Sequence, residues 1–204
     1  MPHRRTFLVL TAASLLPAAG WLARPALAQS ASHASDFIKN VGDQLVAVVN
    51  GPGAEQQKRA QLTQIIDTAV DVDGVARFCL GRFWRAASSQ QQQNYTTLFH
   101  QVLVNNITSK LGEYQGVHFT MGRTQMRDEN AVVSTVVERP NNPPTNVDWV
   151  VSNPGGTPRI IDVVAEGTSL RLTQRQDYAS YLSHNNDSID ALISAMRQQV
   201  AQAG

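Results

Sequence analysis

The chain has 204 residues, with 17 basic against 16 acidic, 42% apolar types and 6% aromatic. That length fits one domain with a sizeable core, and a charge near zero argues against a nucleic-acid partner. Cys79 is the single cysteine, which excludes an internal disulfide.

Arg4 and Arg5 precede an almost wholly apolar run from Phe7 to Leu16, Pro17 and Gly20 interrupt it, and Ala26-Leu27-Ala28 forms an A-x-A cleavage signal. This is the three-part layout of a secretory signal peptide. A membrane anchor fits less well, because Pro17, Gly20, Arg24 and Pro25 break the ~20 apolar residues a span needs. Residues 1–28 are therefore predicted to be removed, leaving one domain over 29–204 that works in the periplasm. The run "RRTFLVL" also resembles a twin-arginine export signal. His3 stands where that pattern usually has Ser or Thr, so the general secretory route stays open beside it. Losing Arg4, Arg5 and Arg24 leaves 14 basic residues against 16 acidic, a net of −2.

The mature chain divides by hydrophobic period into a helical part (29–116), a sheet (117–170) and C-terminal helices (171–204). Phe37, Val41, Leu45 and Val48 recur at helical spacing, and "NGPG" at 50–53 ends that helix. A second helix is predicted over 54–70 with Leu62, Ile65, Ile66 and Ala69 inward. Asp71 or Asp73 is placed to cap a short helix carrying Val75, Phe78 and Cys79. Ser88 with Gln91 makes a capping box for a long helix whose stripe is Tyr95, Leu98, Phe99, Val102, Leu103, Ile107 and Leu111. Four strands follow, at 118–127, 130–139, 146–153 and 158–166, separated by the turn sequences "DEN", "PNNPP" and "NPGGTP". Val147, Trp149 and Val151 alternate with more polar positions, so one face of that strand is apolar. Two helices close the chain, one with Leu172, Tyr178, Tyr181 and Leu182 inward, the other with Ile189, Leu192, Ile193, Met196 and Val200. The predicted fold is α+β: a helical layer packed on a curved four-stranded antiparallel sheet enclosing an apolar pocket.

Sites of chemistry are sparse. The sequence has no P-loop, nucleophile elbow, H-E-x-x-H, Cys-x-x-Cys or dinucleotide fingerprint. His33, His100, His118 and His184 are scattered, none at metal-ligand spacing, so neither metal nor cofactor is expected. Cys79 reads as a buried structural thiol. Asp148, Asp162 and Glu166 fall on predicted strands. One of them inside the cone of a curved sheet would suit a general base; the plainer reading turns all three to solvent. Arg77, Arg82 and Arg85 suit an anionic headgroup or, more simply, the solvated flanks of a buried Phe83 and Trp84.

Two separated segments carry a resemblance. "LGRFWRAASSQQQQNYTTLFHQVLV" (80–104) and "VDWVVSNPGGTPRIIDVVAEGTSLRLTQRQDYASYL" (147–182) resemble, in the same order, motifs of the MlaC-type phospholipid carriers, also described as the toluene-tolerance auxiliary component of an ABC transport system. The likeness covers most of 36–196. The sequence departs from the family at Pro158-Arg159-Ile160, where Trp-Lys-Ile is usual, at Tyr178 for Phe, and at "NNDSIDALI", which lacks the usual glycines. These departures leave the ligand open: a branch of the family is associated with hopanoid biosynthesis, so a polycyclic lipid stands beside phospholipid. The resemblance implies a non-enzymatic carrier that works between an outer-membrane lipoprotein complex and the substrate-binding ring of an inner-membrane ABC transporter. Phe83 and Trp84 are then expected to lock the helices onto the sheet. The candidate lining is Phe99, Leu103, Val132, Val136, Val147, Trp149, Val151 and Leu170, with pocket wall and solid core not separable from sequence. A small cone-fold enzyme using Asp148 or Asp162 and a structural subunit with a solid core are the rival readings.

Overall fold

The computed structural model describes residues 23–202 apart from 154. The Arg4-Arg5 start and the Phe7–Leu16 run lie outside the described residues. Helix α1 (Ala23–Asn50) runs unbroken across Ala26-Leu27-Ala28. Its buried positions, Ala34, Ile38, Val41 and Val49, follow one another at three-to-four-residue or double-turn spacing. The buried stripe is thus centred on Ile38 and Val41, with Phe37, Leu45 and Val48 only partly covered.

Helix α2 (Glu55–Ala69) buries Leu62, Ile65, Ile66 and Ala69, as predicted. Asp71, not Asp73, caps α3 (Val72–Leu80), accepting from the Gly74 amide at 3.0 Å. Gly81 ends α3 at φ +59°, a left-handed angle that a side chain would strain. A single turn, α4 (Phe83–Ala86), leads to α5 (Ser89–Thr108). The Ser88–Gln91 capping box forms in full: Gln91 N donates to Ser88 Oγ at 3.2 Å, and Ser88 N donates to Gln91 Oε1 at 3.0 Å. A 3-10 turn, Leu111–Tyr114, joins α5 to the sheet.

The sheet is an antiparallel meander of β1 (His118–Arg127), β2 (Asn130–Glu138), β3 (Thr145–Ser152), β4 (Arg159–Ala165) and β5 (Thr168–Ser169), in that spatial order. The first four lie within a residue or two of their predicted bounds. The fifth is an addition: the Glu166-Gly167 turn sends two residues back along β4 before α6 begins. Register shifts between Met121 and Thr124 in β1, and beside Val150 and Val151 in β3, bend the strands. Val133 lies opposite Trp149, and Trp149 opposite Val163, so one sheet face carries Ala131, Val133 and Thr135 with Val147, Trp149 and Val151. Val132 and Val136 pair with Val150 and Asn146 and therefore belong to the other face.

Helices α6 (Leu170–His184) and α7 (Ile189–Gln202) complete the chain. In α6 only Tyr178 and Leu182 are buried; Leu172, 48% exposed, and Tyr181 face outward, against the predicted stripe. Each stands one residue, about 100° of helix, from a covered position, Leu172 from Arg171 and Tyr181 from Leu182.

Among the described residues the apolar interior of this α+β fold forms two clusters. In the first, α3, α4, α5, α6 and α7 pack around the fully buried Tyr95, whose ring meets Phe99 and Tyr178 at about 6 Å and whose hydroxyl donates to Ala76 O at 2.9 Å. In the second, α1 and α2 close on the sheet through Ile38, Val41, Leu62, Val133 and Val151. Phe83 and Trp84 belong to the all-helical cluster. The sheet-locking role expected for them is not what they do: they hold α3 and α4 onto the other helices. Arg82 lies over the Phe83 ring at 4.8 Å and Arg77 over Trp84 at 5.7 Å, so these arginines flank the aromatic pair.

Candidate functional site

Between α1 and the apolar sheet face lies a cavity of about 290 Å³. One turn after another of α1 forms its roof, from Ile38 through Val41, Leu45 and Val46 to Val49. Val117, Phe119, Val137 and Trp149 form the floor, and Leu62 of α2 closes one side. The end of α5 and the 3-10 turn supply Asn106, Ile107, Lys110, Leu111 and Tyr114. Asn106, Ile107 and Lys110 are the lining residues classed as exposed, so the mouth is at this end.

The close fit of α1 to β1 depends on Gly42. A Cβ at that position would stand 2.3 Å from Cζ of Phe119, so the ring rests directly on the helix backbone. An isolated glycine inside an apolar helical stretch marks such a close approach. Gly42 thus marks where α1 and β1 meet, a position not singled out from the sequence.

Polar groups inside the cavity fall into two sets. Deep in the cavity, Trp149 Nε1 donates to Thr135 Oγ1 at 2.9 Å, and Thr135 Oγ1 donates to Val147 O at 3.2 Å. That end is closed and neutral. At the mouth sit Asn106, Lys110 and Tyr114. Among the described residues no carboxylate, histidine or cysteine lines the cavity.

Of the eight candidate residues, Trp149 lines this cavity. Phe99 and Leu103 face the all-helical core, because α5 turns that stripe towards α6 and α7. Val147 and Val151 share the face of Trp149 but are buried beside the cavity, while Val132 and Val136 occupy the opposite face. Leu170 begins α6, 52% exposed.

The carboxylates lie elsewhere. Asp162 is buried, contrary to the plain solvent-facing reading. Its Oδ1 accepts from Val163 N at 2.8 Å and Arg171 N at 3.2 Å, and Ser169 Oγ donates to its Oδ2 at 2.6 Å. Arg171 Nε stands 3.4 Å from the same oxygen. This carboxylate ties the start of α6 to β4. Asp148 pairs with Ser134 and Val164, away from the cavity face, and Glu166 accepts from the Asn146 amide. Cys79 is buried with its Sγ 3.5 Å from Arg171 O, and burial pushes its thiol up to about 12. His100 pairs with Asp67 at 2.6 Å in a separate polar cleft, and His118 with Glu138 at 2.8 Å. Among the described residues no group of three His, Cys, Asp or Glu is placed to hold a metal ion.

Comparison with known proteins agrees with this architecture. The toluene tolerance protein ttg2D of Pseudomonas putida is 24% identical over 144 residues, a match covering 70% of this chain and 67% of that protein. The phospholipid-binding protein from Ralstonia solanacearum, solved in complex with a phospholipid, shares the fold with a TM-score of 0.71 at 22% identity, over 83% of this chain and 98% of its own. The family model described as MlaC protein matches residues 39–198, which takes in α1 from its middle, the whole sheet and most of α7, and this chain belongs to the MlaC family.

Proposed function

We propose that this protein is a periplasmic lipid carrier that holds phospholipid acyl chains in the cavity between α1 and the sheet. The observation that carries the reading is the cavity itself: a mostly aliphatic and aromatic wall with no carboxylate, histidine or cysteine among the described residues, open at the end where Asn106 and Lys110 lie. The Ralstonia solanacearum structure of the same fold, solved with a phospholipid, supports it. So does family membership.

The physics requires such a cavity. Each methylene exposed to water costs about 0.8 kcal/mol, so two chains of roughly 15 methylenes cost on the order of 20 kcal/mol. A shallow groove does not offset that. The carrier must bury the chains about as well as a bilayer does, and no better, so that it can release them.

Within this reading the chain is exported and cut after Ala28, leaving 29–204 as the carrier domain. That cut spares the fold, since the first core residue of α1 is Ala34. The protein then moves lipid between an outer-membrane lipoprotein complex and the substrate-binding ring of an inner-membrane ABC transporter, without catalysis. Solvent extraction of natively purified protein, followed by mass spectrometry, tests the proposal. One phospholipid per chain is expected; protein that is folded and lipid-free, or that carries a hopanoid instead, contradicts it.

A further inference from the structure

Among the described residues Lys110 is the one charged residue on the cavity wall, and it stands at the mouth. Asn106 precedes it by four residues and Tyr114 follows by four, all three on the same cavity. No carboxylate lies within 4 Å of Lys110 Nζ among the described residues, and the side chains of Asn106, Lys110 and Tyr114 make no hydrogen bond there. Arg139 adds a second cation, stacked over the Tyr114 ring at 4.8 Å and likewise without an acidic partner. Glu113, exposed in the 3-10 turn, is not on the wall.

A lysine just past a helix C-terminus often serves the helix by meeting its last carbonyls. Here Lys110 Nζ bonds none of them, and two of the last four, Asn105 O and Asn106 O, have other donors. Thr108 Oγ1 donates to Val104 O at 2.8 Å, Ser109 N to Asn105 O at 2.9 Å, and Ser109 Oγ to Asn106 O at 3.3 Å. Lys110 Nζ makes no hydrogen bond or ion pair with any described residue, and it sits where the polar end of an amphiphile must emerge if its chains fill the apolar interior.

Resting on the carrier reading above, we propose that Lys110, with Asn106 and Tyr114, forms a headgroup site that selects phospholipids whose headgroup as a whole carries a net negative charge. Lys110 supplies the charge-assisted hydrogen bond, and Asn106 and Tyr114 supply neutral donors. A zwitterionic headgroup brings its own cation to a rim that already holds Lys110 and Arg139 and offers no wall carboxylate to pair with it.

The test is competitive loading of the purified mature protein from vesicles of equimolar phosphatidylglycerol and phosphatidylcholine with identical acyl chains, read by native mass spectrometry. The wild type should carry an excess of phosphatidylglycerol. Lys110→Glu and the neutral Lys110→Met should lower the ratio about tenfold, the loss of one charged hydrogen bond, and Lys110→Arg should keep it. An even ratio in the wild type, or an excess that persists in Lys110→Met, overturns the headgroup site while leaving lipid carriage standing. A wild type that takes up neither lipid overturns both. Inorganic phosphate alone should not raise the melting temperature; a rise that Lys110→Met abolishes would assign the site to a free anion and overturn the lipid-headgroup assignment.

Discussion

Asp162 and Trp149 show what single side chains do on the two faces of the sheet. Asp162 spends both carboxylate oxygens on Val163, Ser169 and Arg171, so it fastens α6 to β4. Asp162→Asn keeps the shape and removes the charge. It should cost about 1–3 kcal/mol and lower the melting temperature by several degrees, with lipid content of the folded protein unchanged. A tenfold loss of lipid transfer at unchanged stability would instead point to a functional carboxylate. Trp149 has a different task, since its indole forms part of the cavity floor. Trp149→Arg places an ion against acyl chains and removes the Thr135 bond, and the long side chain has an open cavity to reach through. Bound lipid should be lost while thermal unfolding stays cooperative. Full lipid retention in a folded variant would take Trp149 out of the site.

At the scale of elements, the contact that sets cavity size is α1 against β1. A cavity of 150 Å³ accepts a benzene ring, so about 290 Å³ has room for on the order of a dozen carbons. Two acyl chains are larger, so the carrier reading predicts that the cavity widens on loading, with the Gly42–Phe119 contact between α1 and β1 as the place to test. Gly42→Leu forces a side chain into a contact that has no room even for a Cβ. It should destabilise the protein by about 1–3 kcal/mol through overpacking and reduce lipid per chain; an unchanged load would place the chains elsewhere. The elements themselves were legible where their signals are local. The Ser88–Gln91 box, the Asp71 cap and the four long strands need only neighbours in sequence. The cavity wall was not, because it depends on register. Val132 and Val151 look alike in sequence, yet pairing sends them to opposite faces. Phe99 and Ile38 are both on apolar helix stripes, and only tertiary packing decides which stripe meets a solid core and which meets a void.

At the scale of the whole molecule, the two clusters divide the work: the helical one is solid and the one under α1 is hollow. Titratable groups sharpen the contrast. Burial raises the Cys79 thiol from 9.0 to about 12 and raises the Tyr95 and Tyr178 hydroxyls as well, all three within the helical cluster. Each folded-state value lies above its unfolded one, so the native state holds its protons more tightly. The stability this gives is whole below pH 9 and is lost as pH rises towards 12. Unfolding curves should therefore be flat from pH 7 to 8.5 and fall steeply above 9; a flat curve to pH 11 would contradict the buried assignment. Lipid acts on the other cluster, stabilising by mass action. The central claim is that acyl chains occupy the hollow cluster, and photo-crosslinking tests it most directly. A phospholipid with a diazirine at mid-chain, loaded and irradiated, should label Ile38, Val41, Phe119 and Trp149; label on Tyr95, Phe99 or Leu192, or on none of the cavity residues, would contradict the account.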